Sequence, residues 1–292
     1  METPRIIMVD WSAASGVTRP GPDTIYLAWN DAEQVRVEHC STRLTCQERI
    51  VSLAAAWAGP VLVGCDFAFG YPREAGLPAG RALCDMLADV VTESAEGESN
   101  RFAVAAMLNR EVARMTGEVG PFWGRPVSVR EADLPTMQPT SRVPMYRACE
   151  RTALSRAREW GRIQSAFKCA YPASVGSQTI TGLACVGRML RDFRIAGRAL
   201  LWPFETAWDE AIEPNAIVFA EVWPATQVQR VRADVSDDVR DAKQVRAMVR
   251  WAQEAWPKLL ARPGEVIDDV ERARCEGWIL GVEVGGSDGV RR

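Results

Sequence analysis

Three acidic residues stand where apolar runs stop: Asp10 in "RIIMVDWSAASG", Asp66 in "VLVGCDFAFG" and Glu221 in "NAIVFAEVWPA". Each run reads as a buried strand, and strand ends in α/β proteins commonly converge on one ligand-binding edge. Carboxylates gathered there would repel one another and raise each other's pKa. A divalent cation removes that conflict, and three or four carboxylates with water suit Mg²⁺ or Mn²⁺. Two such ions can activate a water and stabilise a leaving oxygen on phosphorus. Asp241 joins the set because it lies four residues before Val245, on the face that a helix "DVRDAKQVRAMVRWAQEAW" would bury. Asp10, Asp66, Glu221 and Asp241 are therefore the expected catalytic and metal-holding residues, with Asp269 or Asp268 as fallback for the last.

Composition narrows the chemistry further. His39 is the single histidine of 292 residues and reads as a surface or edge-strand residue, so a Ser-His-Asp triad or Cys-His pair would have to use it and a two-histidine metal site lacks its second imidazole. Eight cysteines form no C-x-x-C pair, so reduced thiols in a cytoplasmic protein are the expectation. The first apolar run is too short for a signal peptide, and no run of about 18 apolar residues offers a membrane span.

The net charge of −3 is uneven. Arg142 to Arg198 carries eleven basic residues against Glu150, Glu159 and Asp192, a local +8 that leaves −11 elsewhere. An acidic site beside a basic segment suits an anionic substrate. Within that segment "MYRACERTALSRAREWGRI" reads as one amphipathic helix, with Arg147, Arg151, Arg158 and Arg162 on one exposed face as phosphate contacts. The loop "YPASVGSQTITGL" can offer backbone N–H groups to an anion. Ser177 and Gln178 in that loop, Ser12 in the first turn and Trp11 as a base-stacking platform complete the expected substrate contacts.

The elements that must hold these residues read as strand, strand, strand, helix, strand over the first ninety residues. The helix starts with a capping box at Thr45 and Glu48. Irregular sequence follows over 71–205, then a strand and helices. That order resembles the ribonuclease H-like fold. "IIMVDWSAA", "VLVGCDFAFGYP" and "VFAEVWPA" are similar to the domain-of-unknown-function family 429 of predicted ribonuclease H-like nucleases. "GPFWG", "SVGSQTITGL", "LWPFET" and "DAKQVRA" resemble a bacterial subgroup often labelled molybdopterin-guanine dinucleotide or cobalamin biosynthesis.

The resemblance implies an α/β fold: a ribonuclease H-like mixed five-stranded sheet with helices on both faces. Residues 1–70 and 206–292 would form the core, and 71–205 a large, mostly helical basic insertion. It gives Asp10 the first-strand and Asp66 the fourth-strand carboxylate role. Ribonucleases H also place an acid on the first helix, but Glu48 there faces away from the buried side, which leaves Glu221 as third ligand. The expected function is a Mg²⁺- or Mn²⁺-dependent nuclease or phosphodiesterase acting on nucleic acid or a nucleotide, away from membranes. A nucleotide-binding phosphotransferase of the actin-like ATPase type, or a non-catalytic binding protein on the same fold, are the alternatives.

Overall fold

The computed structural model describes residues 4–32, 34–172, 174–206, 212–236, 238–256, 258–261 and 267–283, apart from the side chains of 157 and 267–269. Strands β1 (Arg5–Asp10), β2 (Ile25–Asp31) and β3 (Gln34–Cys40) lead into helix α1 (Arg43–Ala55) and strand β4 (Val61–Cys65). Helices α2 (Gly80–Val90), α3 (Arg101–Thr116), α4 (Ala148–Ser155), α5 (Ala157–Trp160) and α6 (Gly176–Leu190) follow. The chain closes with β5 (Ala199–Leu201), β6 (Ile217–Glu221), α7 (Val228–Ala233), α8 (Arg240–Ala255) and α9 (Ile267–Glu276).

The strands form one mixed sheet of order β3-β2-β1-β4-β6-β5. β1 runs antiparallel to β2 and parallel to β4, and β4, β6 and β5 are parallel neighbours. The sheet therefore has six strands among the described residues, not five. The extra one, β5, has three residues and comes from the stretch expected to be an insertion; so short an apolar run carries no readable alternation.

Side-chain alternation along β1 splits it between two cores. Ile7 and Val9 pack with Ile50 of α1, Leu83 and Leu87 of α2 and Ile180 and Leu183 of α6. Ile6 and Met8 pack on the opposite face with Val245, Met248 and Val249 of α8. Burial on both faces is why β1, β4 and β6 read as continuous apolar runs.

Three helix expectations change. Thr42, not Thr45, caps α1, its hydroxyl accepting from Thr45 N at 3.2 Å. The arginine-rich stretch is two short helices, α4 and α5, interrupted at Arg156, so one helical phase does not run through it. Ser177 and Gln178 lie in the first turn of α6, not in a loop. Small residues let α6 lie close to its neighbours: a Cβ on Gly182 would sit 2.5 Å from the Phe67 ring, and one on Gly187 would sit 2.3 Å from the Cys84 carbonyl oxygen. None of the helices among the described residues is long and apolar enough to cross a membrane.

Candidate functional site

Asp10 ends β1, and Asp66 follows β4 directly. Their strands are hydrogen-bonded parallel neighbours in the register Val9 to Cys65, and Asp66 N donates to Val9 O at 3.2 Å. The two carboxyls therefore meet just past the sheet edge and hydrogen-bond to each other. Trp11 N adds a bond to Asp66 Oδ1 at 2.6 Å. Burial first, and then mutual negative charge, push both carboxyls well above the usual carboxylate range. For Asp10 the like charge is Asp241, opposed by Arg240. The shared hydrogen bond lets one proton serve the two carboxyls together.

Asp241, in the first turn of α8, faces this pair as its helical phase implies, and it has a second task. Its Oδ2 accepts from Asp23 N at 2.7 Å, and it also bonds the Thr24 backbone, holding the loop ahead of β2. Burial raises it above the usual range, while the Asp23 amide opposes. Asp268 and Asp269 lie in α9, with side chains outside the described residues.

Glu221 is committed elsewhere. It is 4% exposed, and both its oxygens bind the Arg147 guanidinium, at 2.6 and 2.7 Å. Phe69 N donates to it as well, at 2.9 Å. Its register explains this. Glu221 pairs with Cys65, and Cys65 with Val9, so it stands one residue short of Asp10 and shares the side-chain phase of Val9 and Cys65. Arg147, expected on an exposed stripe, is fully buried. It caps α4 in an extended conformation and also binds Glu150 Oε1 at 2.9 Å. Glu276 accepts from Ala148 N at 2.7 Å and closes this buried cluster. Arg147 and Glu276 were missed as a structural unit. The one signal was Glu150, an acid among Cys149 and Ala153 on the apolar side of α4.

The remaining substrate candidates divide. Trp11 is 2% exposed and donates to Thr181 Oγ1 at 3.2 Å, so its ring faces Phe67 and not a ligand. Ser12 is buried and donates to Asp23 O at 2.9 Å. Ser177 donates to Cys169 O at 2.5 Å, and Gln178 Nε2 to Trp11 O at 2.7 Å. Arg151 is exposed and donates to Tyr146 O, and Arg158 is exposed on α5. Arg162 alone of the four arginines borders a cleft on the acid pair.

That cleft, of about 370 Å³, is lined by Asp66, Trp160, Arg162, Trp223, Arg240 and Gln244 among others. Trp160 and Trp223 meet edge to face at 6.1 Å. Arg162 and Arg240 have no ion pair among the described residues, unlike Arg147. Glu48 sits on the exposed side of α1, paired with Arg194 at 2.6 Å.

Among the described residues no group of three or more His, Cys, Asp or Glu side chains is spaced to hold a metal ion. The two-metal, four-carboxylate set thus has no counterpart, since Glu221 is spent on Arg147 and Asp241 on the 23–24 backbone. Asp10 and Asp66 are still a donor set for one hard cation: Mg²⁺ is commonly held by one or two carboxylates, with waters and substrate oxygens filling its shell. The negative charge gathered here, which Asp241 adds to and the Arg240 charge and the Trp11 amide offset in part, is what a cation would neutralise. Comparison with protein-family models, curated proteins and solved structures gives no match for this chain.

Proposed function

We propose that the protein is a divalent-cation-assisted hydrolase of phosphodiesters, with nucleic acid or nucleotide as substrate class and a ribonuclease H-like sheet as its scaffold. The observation that carries the reading is the half-buried Asp10–Asp66 carboxyl pair, with Asp66 lining a cleft whose Arg162 and Arg240 have no ion pair among the described residues. The sheet order, with the antiparallel strands β3, β2 and β1 followed by β4, β6 and β5 parallel to β1, supports the scaffold assignment.

Asp10 and Asp66 would hold Mg²⁺ or Mn²⁺, which supplies Lewis acidity and lowers the pKa of water. Arg162 and Arg240 bind the anionic phosphate, and Arg240 also lessens the negative field at Asp10. The Trp11 amide fixes Asp66 Oδ1, so the carboxyl's second oxygen is turned to the pair. Trp160 and Trp223 offer apolar walls for a base or sugar.

The test is cleavage of a fluorescent single-stranded oligonucleotide with Mn²⁺, with Mg²⁺ and with EDTA. Metal-dependent cleavage lost at least about a hundredfold in Asp66→Asn is the expected result. Cleavage that persists in EDTA would reassign the pair to metal-free acid–base chemistry. No cleavage or phosphate binding under any condition would sink the reading.

A further inference from the structure

A second cleft, of about 710 Å³, adjoins the first: Gln164, Val175 and Gln178 line both. Its walls are the 12–14 turn, the start of α3 and the first turn of α6. Three arginines gather behind it with one acid to share. Arg43 binds Glu93 and the carbonyls of Ser12, Ala14 and Gly97, which fixes the turn after Asp10. Arg188 binds the other oxygen of Glu93 at 3.3 Å, and Gln47 at 3.0 Å.

Arg101, which lines the cleft, has no bonded carboxylate among the described residues. Its NH1 meets the hydroxyls of Ser15 and Ser99, at 3.1 and 3.2 Å, its guanidinium lies over the Phe102 ring at 4.6 Å, and its Nε is buried with no hydrogen-bond partner among the described residues. Burial, and then the Arg43 charge, lower its pKa from the ordinary value, and Glu93 offsets them only in part. A half-buried guanidinium in a cavity wall, with no carboxylate bonded to it among the described residues, is the arrangement that an anion completes. The first-turn amides of α6 at Ser177 and Gln178, which have no intrahelical acceptor, add partial positive charge to the same wall. Tyr171, on the rim, is 51% exposed and holds a left-handed φ of 72°, a strained conformation for an aromatic residue. Phe102 lines the same cleft, with the Arg101 guanidinium over one face of its ring.

We infer that the second cleft holds a neighbouring phosphate of the substrate through Arg101, with Tyr171 and Phe102 beside its base, so that the substrate is a phosphodiester-linked single strand spanning both clefts. This rests on the reading of the first cleft as the site of phosphodiester chemistry. It adds that a single phosphate group is not the whole ligand.

The test compares binding of hexathymidylate and thymidine monophosphate in EDTA, over a salt series, to wild type, Arg101→Gln, Arg101→Lys and the Arg162→Gln/Arg240→Gln pair. Wild type is expected to prefer the hexamer. Arg101→Gln should weaken the hexamer about tenfold or more and flatten its salt slope by ~0.7, the share of one phosphate contact on a single strand. Its melting temperature should hold or rise, because a cation repelled by Arg43 is gone. Arg101→Lys keeps the charge and should keep the slope, which covers the case of a glutamine variant that does not fold. Unchanged hexamer affinity and slope in Arg101→Gln, or a lost slope in a folded Arg101→Lys, overturns this inference alone, provided the Arg162/Arg240 variant still weakens both ligands. Binding of neither ligand by wild type overturns this inference and the phosphodiester reading together.

Discussion

Replacing Asp66 by Asn should stabilise the metal-free protein, and increasingly so as pH rises. Asn keeps an oxygen for the Trp11 amide, and its NH₂ can donate to the Asp10 carboxylate. Burial and the Asp10 charge hold the Asp66 pKa well above its unfolded value, so the folded state keeps a proton that the unfolded chain has released. For an acid shifted upward, stability is fully present below the unfolded pKa, near 3.9, and is lost as pH rises toward the folded one. One extra proton in the folded state gives a slope of about −1.4 kcal/mol per pH unit. From pH 5 to 7 the pair therefore costs wild type up to about 2.7 kcal/mol that Asp66→Asn does not lose. At roughly 2 °C per kcal/mol for a chain of this size, the variant's advantage in Tm should grow by about 5 °C over that range. The assay is thermal unfolding against pH in EDTA for both proteins. Repeating it with millimolar Mn²⁺ should restore wild type at high pH by mass action and leave Asp66→Asn unmoved. Parallel Tm profiles in EDTA, or a variant that loses ground as pH rises, would refute the paired-carboxyl argument.

Glu221→Gln should do the opposite, losing up to about 3 kcal/mol at neutral pH by leaving the buried Arg147 charge with Glu150 alone, with Mn²⁺ affinity unchanged; denaturant unfolding and Mn²⁺ titration on one sample check both. A stable Glu221→Gln that no longer binds Mn²⁺ would return Glu221 to the metal set. Asp241→Ala should release the amides of Asp23 and Thr24, at about 1 kcal/mol, and speed their hydrogen exchange while those of β4 stay protected. Gly182→Ala should cost about 1–3 kcal/mol, because its Cβ would lie 2.5 Å from the Phe67 ring; an unchanged Tm would mean that α6 can move away freely.

Much of the frame was legible in the chain because continuous apolar runs have few homes other than a doubly covered sheet. The first four strands, α1, β6 and α8 fall where the runs and periods place them, and α8 buries Val245, Met248, Val249 and Ala252 as its phase implies. The six-stranded edge was not legible, since β5 has three residues. The arginine stripe failed for a definite reason: a helical phase holds only while the helix lasts, and this one starts after Arg147 and breaks at Arg156. Arg43 and Arg101, which shape and charge the second cleft, look in sequence like any helix-surface arginine. What separates them is how many carboxylates the folded chain leaves for each.

The fate of the three strand-end acids turns on register, which a single chain does not spell out. All three end apolar runs, so the same argument proposed all three. Once β1, β4 and β6 are paired, Val9, Cys65 and Glu221 stand at one level, and Asp10 and Asp66 at the next. A shift of one residue reverses the face on which a side chain stands. Glu221 therefore meets Phe69 N and the Arg147 fork at 4% exposure, where a lone charge would be costly and a bidentate partner satisfies it. Asp10 and Asp66 meet each other, with no ion pair among the described residues and a cleft beside Asp66. One acid is neutralised by the fold, and two are left for a proton or a metal ion. This difference in compensation, more than the acids' position at strand ends, separates the carboxylate that holds the protein together from the pair free to do chemistry.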